Sequence, residues 1–354
     1  MNNISKIKEA LIEYEHDAIL VISPINRLYA TGFQTSAGVL FVTKSDAWFF
    51  TDSRYLEAAS SVVKEASVME VTPEITYYDR INELLADLDI KTIVMENNSI
   101  SYSEYLEWRR QLKVKLIRGE KLLSDLRSIK SEEDLENMKK AQQIAEKSFM
   151  EILPLISTKI TEKELANELL FHFLKNGADD KSFDTIVVSG KKSSMPHGVP
   201  EDILIGQGFL TIDFGVRLNG WCSDTTRTLC IGEPDEEMRI VYNTVLKAQE
   251  TGINAAKAGM KARLVDAAAR DVIEEASYGE YFSHSFGHAL GLEIHENPRA
   301  SKISKDTLQA GVVLSAEPGI YIPGRFGVRI EDVLYITDDG NENLTSLSKE
   351  LIII

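Results

Sequence analysis

The stretch 210–228, LTIDFGVRLNGWCSDTTRT, carries aspartates Asp213 and Asp224 on either side of Asn219-Gly220. An Asn-Gly pair between apolar and β-branched runs is the strongest short-range signal for a tight type I′ turn. With those two residues at the centre of the turn, Asp213 lies opposite Thr226 and Gly215 opposite Asp224. Both aspartates then share one strand face as diagonal neighbours. Diagonal backbone positions are roughly 7–8 Å apart, and inward carboxylates at that range repel unless a cation lies between them. The chemistry suggested is cation binding. Read alone, the same stretch could be a surface hairpin bearing two solvated acids.

The last third of the chain supplies further candidates. FSHSFGHALGLEIHE at 282–296 contains His284, His288 and His295, three of the six histidines, and Gly287 and Gly291 flank His288. Such glycines permit close backbone approach, as around a metal or a substrate. Glu317 follows the apolar run VVLSA, and Glu331 sits within VRIEDVL. Both are equally spaced from Gly324, so a hairpin turning at Pro323-Gly324 brings them together. A carboxylate in an apolar strand is costly unless paired or metal-bound. Asp213, Asp224, Glu317 and Glu331 are all anionic when ionised, neutral His288 adds no charge, and two divalent cations would neutralise the set. Oxygen ligands with one imidazole favour Mn2+, with Co2+, Fe2+ or Zn2+ as alternatives. Two such ions about 3.5–4 Å apart can share a water, lower its pKa and polarise a carbonyl. That is hydrolysis without a protein nucleophile; no nucleophile-elbow motif is present, and neither cysteine adjoins a histidine in sequence.

The elements that must position these groups fall into two parts. Up to about residue 125, helix patterns at 2–15, 53–64, 78–88 and 102–111 alternate with strand patterns at 18–23, 38–43, 47–51, 67–71, 92–96 and 114–117. This is an α/β layer arrangement. Pro24 stops the first strand, and 25–33 reads as a loop or subunit interface. A boundary falls near 123–130. Ser131 caps a long helix with Glu132, Glu133 and Asp134 in its first turn, where negative charge is favoured. Thr161-x-x-Glu164 is a capping box for a helix over 162–176. A strand at 185–189, a loop at 190–200 and the Asn-Gly hairpin follow. Helix patterns at 236–258 and 264–276 then lead into the strand-rich end. Helix–helix–strands occurs twice, which suggests an internal structural repeat without sequence identity.

At 354 residues the chain is long enough for two domains. Asp plus Glu number 55 against 39 Lys plus Arg, a net charge of −16, which disfavours nucleic acid or an anionic membrane as partner. No apolar run approaches the roughly 20 residues that span a bilayer, and the N-terminus lacks the apolar core of a secretory leader. Cys222 and Cys230 are too few for a disulfide framework. Buried free thiols in a reducing cytoplasm are the expectation.

On these residues the chain resembles the metallopeptidases with the pita-bread fold, and within them the proline-specific branch of Xaa-Pro dipeptidase (prolidase) and aminopeptidase P. The motifs are SFDTIVVSG at 182–190, PHG at 196–198, IDFG at 212–215, SDTTRT at 223–228, FGHALGLEIHENPR at 286–299, LSAEPGIY at 314–321 and GVRIEDV at 327–333. The resemblance implies an α+β protein: a creatinase-type α/β N-terminal domain over 1–126 and a pita-bread catalytic domain with an internal pseudo-repeat over 127–354. It implies Asp213, Asp224, His288, Glu317 and Glu331 as ligands of two divalent ions, with Asp224 and Glu331 bridging both. His197, His284 and His295 match histidines that position substrate, stabilise the charged tetrahedral intermediate and move protons. Glu317 matches the proton shuttle and Arg299 an arginine that binds a substrate carboxylate. Arg329 is expected to contact substrate or orient a ligand, and Tyr321 to wall the pocket. The implied activity is metal-dependent hydrolysis of the Xaa-Pro bond by a water or hydroxide bridging the ions. Xaa-Pro dipeptidase is the first reading, and Xaa-Pro aminopeptidase on longer peptides the second. A catalytically silent binding module on the same fold is a distant third. A cytoplasmic homodimer acting on proline-containing peptides is the accompanying expectation.

Overall fold

The structure, a computed structural model, describes residues 2–354. The first residue of the expected N-terminal domain therefore lies outside the described residues. The chain divides into two compact units, Met1–Arg127 and Ser128–Ile354.

The first unit runs α1 (Ile4–Glu13), β1 (Ala18–Val21), α2 (Pro24–Thr31), β2 (Val39–Thr43), β3 (Ala47–Thr51), α3 (Ser53–Val62), β4 (Ser67–Glu70), α4 (Tyr77–Asp87), β5 (Thr92–Met95), α5 (Tyr102–Gln111) and β6 (Lys115–Arg118), and α6 (Glu120–Ser128) carries the chain to the boundary. Its six-stranded sheet has the order β4-β3-β2-β1-β5-β6. β1 is antiparallel to β2 and parallel to β5. Both faces are covered, so successive strand residues enter different cores: Ile19, Val21, Leu40 and Val42 pack with α1, while Leu20, Val39 and Phe41 pack with Ile81 of α4 and Trp108 of α5.

Residues 25–33, expected as a loop or subunit interface, contribute most of α2 rather than a loop. Pro24 ends the strand and also opens a helix, because its fixed φ and missing N–H suit the first helical position. Ser23 caps it, its Oγ accepting from the Asn26 amide at 3.2 Å. The helix hides polar groups: buried Arg27 donates to the carbonyls of Ile22 and Thr35, and Asn26 to the Glu96 carboxylate. α6 likewise occupies a stretch read as boundary.

The second unit contains α7 (Glu132–Ile152), α8 (Glu162–Lys175), β7 (Asp180–Lys181), β8 (Ile186–Ser189), β9 (Gly208–Phe214), β10 (Val216–Leu218), β11 (Trp221–Cys222), β12 (Thr225–Ile231), α9 (Glu236–Ala255), α10 (Ala262–Glu275), β13 (Gly287–Ala289), β14 (Glu296–Ala300), β15 (Val313–Ala316), β16 (Gly319–Ile322), β17 (Phe326–Arg329), β18 (Asp332–Ile336) and β19 (Asn341–Asn343). Capping boxes at Ser131/Asp134 and Thr161/Glu164 start α7 and α8. Both satisfy helix-end amides that would otherwise lack partners.

Two helix-backed layers repeat within this unit. Leu210, Ile212 and Phe214 of β9 face α7 and α8, where Phe214 stacks on Phe149 with centroids 5.1 Å apart. Leu314 and Ala316 of β15, with Leu334 and Ile336 of β18, face α9 and α10. Strand alternation turns the intervening residues, including Asp213, Thr211 and Ser315, to the opposite faces. There the buried lining is polar: Thr211, Thr226 and Thr228 belong to the first layer and Ser315 to the second.

Both layers also contain a broken hairpin. In the first, Asn219 and Gly220 adopt φ of 52° and 86°, Leu218 pairs with Trp221, and Asp213 pairs with Thr226. This is the expected register. Regular pairing lapses at Gly215 and Asp224, where an added Cβ on Gly215 would lie 2.0 Å from the Ser223 carbonyl oxygen. In the second hairpin, Gly319 pairs with Arg329 on the turn side and Ala316 with Asp332 on the open side. Glu317 and Glu331 fall in the gap between.

Candidate metal centre

The breaks in the two hairpins meet. Asp224, His288 and Glu331, all buried, each offer a ligand atom, and these atoms lie within 4.8 Å of one another. His288 Nε2 lies 3.3 Å from Glu317 Oε1 and 3.7 Å from Asp224 Oδ2. Asp213 enters from β9, with one oxygen held by Arg329 Nη2 at 2.5 Å. Asp224, His288 and Glu331 thus meet from both layers, Glu317 lies against His288, and Asp213, held by Arg329, lies outside that group of three.

The orientation of these groups is fixed by neighbours. His288 Nδ1 lies 3.1 Å from the Ala289 carbonyl oxygen, which can only accept, so Nδ1 carries a proton and Nε2 faces the carboxylates. The His288 amide donates to Ser315 Oγ at 3.0 Å, and that hydroxyl donates to Glu317 Oε1 at 3.1 Å. Thr226 Oγ1 donates to Glu331 Oε2 at 2.7 Å and accepts from Arg329 Nε at 3.0 Å. Thr226 and Ser315 were not singled out from sequence. Register was the available signal for Thr226, since it sits directly opposite Asp213.

The electrostatics demand a counter-charge. Burial, then the charges of Glu331, Asp213 and Glu317, push Asp224 well above the usual carboxylate range. Burial, then Glu317 and Asp213, do the same to Glu331. Asp213 is raised by burial, with Arg329 opposing. Glu317 goes the other way. Burial pushes it up, but the His288 hydrogen bond and the electrostatic pull of His288, His284 and Arg329 hold it at about 2. Four carboxylates packed this closely cannot all remain ionised without added positive charge. Asp213 Oδ1 and Glu331 Oε1 are buried without a hydrogen-bond partner among the described residues. Unpaired carboxylate oxygens inside a protein are expensive, and a hard or borderline divalent cation satisfies oxygens and charge together. The donor set fits such a cation.

Around this locus the remaining candidates separate by role. Arg329 is buried, and besides Asp213 and Thr226 it donates to Tyr321 Oη at 2.9 Å and to the Pro196 carbonyl at 3.2 Å. Those contacts suit ligand orientation. Tyr321 Oη in turn lies 2.9 Å from His284 Nε2, and His284 Nδ1 lies 2.9 Å from the Ser285 carbonyl. The proton on Nδ1 thus goes to Ser285, and Tyr321 donates to Nε2. Burial pushes the Tyr321 phenol up to about 12 and lowers His284, so the tyrosine is protonated and the histidine neutral near pH 7. His295 is exposed, yet its ring centroid lies 4.4 Å from that of His288. His197 is also exposed, on the loop whose Pro196 carbonyl contacts Arg329. Arg299 is exposed and pairs across β13–β14 with His288.

Comparison with known proteins finds relatives along the whole chain. Residues 136–338 match the model for metallopeptidase family M24, and residues 3–129 match the creatinase/prolidase N-terminal domain. The chain is 37% identical over 352 residues to the Xaa-Pro dipeptidase of Pyrococcus furiosus, covering 99% of each. The solved Xaa-Pro dipeptidase from Bacillus anthracis shares 40% identity and superposes with a TM-score of 0.96, covering 99% of each chain. The X-Pro aminopeptidase from Thermotoga maritima shares 35% identity with a TM-score of 0.91, covering 98% of this chain and 100% of that one.

Proposed function

This chain belongs to metallopeptidase family M24, a membership that implies divalent metal ions, and on that premise we propose that it is an Xaa-Pro dipeptidase. The observation that carries the reading is the buried convergence of Asp224, His288 and Glu331, with unpaired carboxylate oxygens beside them, in a chain that matches such dipeptidases end to end.

Asp213, Asp224, His288, Glu317 and Glu331 would hold two ions, Mn2+ first among the candidates. Bound there, such ions supply Lewis acidity, acidifying water and polarising a peptide carbonyl. The protein's own groups do the rest. Arg329 and Thr226 fix the carboxylates of Asp213 and Glu331. His295 flanks the locus as an imidazole able to donate to an oxygen that gains charge, and His284, with Nδ1 on the Ser285 carbonyl and Nε2 accepting from Tyr321, positions that phenol. Glu317, held ionised, accepts a proton on a carboxylate oxygen and passes it towards the departing proline nitrogen. His197 reaches the same space from its loop. Arg299 presents a guanidinium fork for the substrate's free carboxylate, the group that marks a dipeptide. Tyr321 backs His284 in the pocket wall. The two buried free thiols support a reducing, cytoplasmic setting, and a homodimer is the assembly this reading takes.

Xaa-Pro aminopeptidase is the second reading, favoured by the full-length match to the Thermotoga maritima aminopeptidase. Mn2+-supplemented protein assayed on an Xaa-Pro dipeptide and an Xaa-Pro-Xaa tripeptide separates them. The dipeptide is the expected preferred substrate. Preference for the tripeptide, with release of its first residue, selects the aminopeptidase, and cleavage of neither leaves a binding module.

A further inference from the structure

Beside the segment carrying His295 and Arg299 lies an ion pair that none of the chemistry above uses. Lys130 Nζ donates to Glu296 Oε2 at 2.9 Å, with the lysine side chain 0% and the glutamate side chain 4% exposed. Burying two charges is costly, and such a pair is retained more readily for the geometry it enforces than for stability.

The geometry here is specific. Lys130 is anchored through its amide to the Gly311 carbonyl at 2.9 Å and through Nζ to the Ser128 carbonyl at 3.3 Å. Glu296 opens β14, directly after His295 and shortly before Arg299. Its other oxygen accepts the Glu293 amide at 3.3 Å, closing the turn back towards β13. An added Cβ on Gly291 would lie 2.7 Å from Glu296 Oε2, so the carboxylate fills the inside of that turn. The turn also touches the first hairpin: the Cys222 amide donates to the Gly291 carbonyl at 2.8 Å, and Cys222 Sγ lies 3.8 Å from the Leu292 carbonyl. The β13–β14 register shifts between His288 and Ala289, so regular pairing does not by itself fix His295.

We propose that the buried Lys130–Glu296 pair is a positioning device that locks the 290–296 turn, setting His295 against His288 and aiming Arg299 at the substrate. The proposal rests on the dipeptidase reading for what His295 and Arg299 do, but the locking itself does not.

The test compares wild type, Lys130→Met and the charge-neutral Lys130→Met/Glu296→Gln. Lys130→Met takes the buried ammonium away from the Glu296 carboxylate, lowering the melting temperature along with kcat/KM. The double variant removes the carboxylate's charge as well and recovers most of the melting temperature. Its kcat/KM on an Xaa-Pro dipeptide stays roughly ten- to hundredfold down, chiefly through KM, because the turn is no longer held. Alkylation of the native protein, read by mass spectrometry, should label Cys222 several-fold faster in both variants and leave Cys230 on β12 unchanged. Recovery of kcat/KM together with melting temperature in the double variant makes the pair merely structural and overturns the proposal. Unaltered Cys222 labelling overturns it as well. If wild type cleaves no Xaa-Pro peptide, the dipeptidase reading fails, while faster Cys222 labelling still upholds the lock.

Discussion

Thr226 touches Glu331 twice: its hydroxyl donates to Oε2 at 2.7 Å, and its carbonyl accepts the Glu331 amide at 3.1 Å. The same hydroxyl accepts from Arg329, which holds Asp213. One threonine thus ties a carboxylate of the second hairpin to a carboxylate of the first. Thr226→Val keeps the shape and removes both side-chain bonds. We expect metal affinity or kcat to fall roughly 10–100-fold, the usual effect of losing a partner that orients a ligand. Equilibrium dialysis with Mn2+ and steady-state kinetics read the two quantities, and wild-type values for both would dissociate Thr226 from the site.

Arg299 is exposed, and its expected partner is the carboxylate of a dipeptide. Arg299→Leu should therefore raise KM for an Xaa-Pro dipeptide by about one to two orders of magnitude, the range for a lost charge-assisted hydrogen bond of ~1.5–3 kcal/mol. It should change little for the same dipeptide carrying a C-terminal amide. Equal losses on both substrates would remove Arg299 from carboxylate recognition.

The carboxylate cluster makes a prediction about the metal-stripped protein. Asp224 and Glu331 have folded pKa values above their ordinary range, so the folded state binds protons that the unfolded state has released. Stability from this source is present below the folded pKa values. It is lost as pH rises from the ordinary carboxylate range through them. His284 and His295, lowered by burial, act oppositely below about pH 6.5. The comparison is therefore made between variants rather than between pH values alone. Asp224→Asn should abolish activity and reduce bound metal measured by elemental analysis. In the stripped state it should melt higher than wild type, with the gap widening from pH 5 to pH 8. A stripped variant that melts lower than wild type at pH 8 would contradict this account.

Much of this centre is legible from sequence because its geometry is local. Asn219-Gly220 determines the first register, and Gly324 relates Glu317 to Glu331, so short-range turn chemistry suffices to bring the carboxylates into pairs. What is not legible depends on contacts distant in sequence. At the break, the Ser223 carbonyl approaches Gly215 so closely that only glycine fits. For Arg329 the sequence leaves substrate contact and ligand orientation both open, and the contacts that suit orientation, to Pro196, Asp213, Thr226 and Tyr321, lie on other elements. α2 is hidden for another reason. Its buried Arg27 and Asn26 violate the apolar-inward pattern, and Ser23-Pro24 signals the end of a strand as well as the start of a helix.

The site also depends on the apolar core directly behind it. Phe214 follows Asp213 in β9 and points the other way, stacking on Phe149 of α7 with an interplanar angle of 4°. Phe149→Ala should cost about 3–5 kcal/mol of stability in urea unfolding, from lost transfer energy and the cavity left behind. Because Phe214 then loses its backing, Asp213 loses its fixed position, and Mn2+ should protect the variant less than wild type. Ligand stabilisation grows with the ratio of free metal to its dissociation constant, so unfolding midpoints across an Mn2+ series report that affinity. Parallel midpoint shifts in the two proteins would show that the α7 core carries stability without setting the metal ligands.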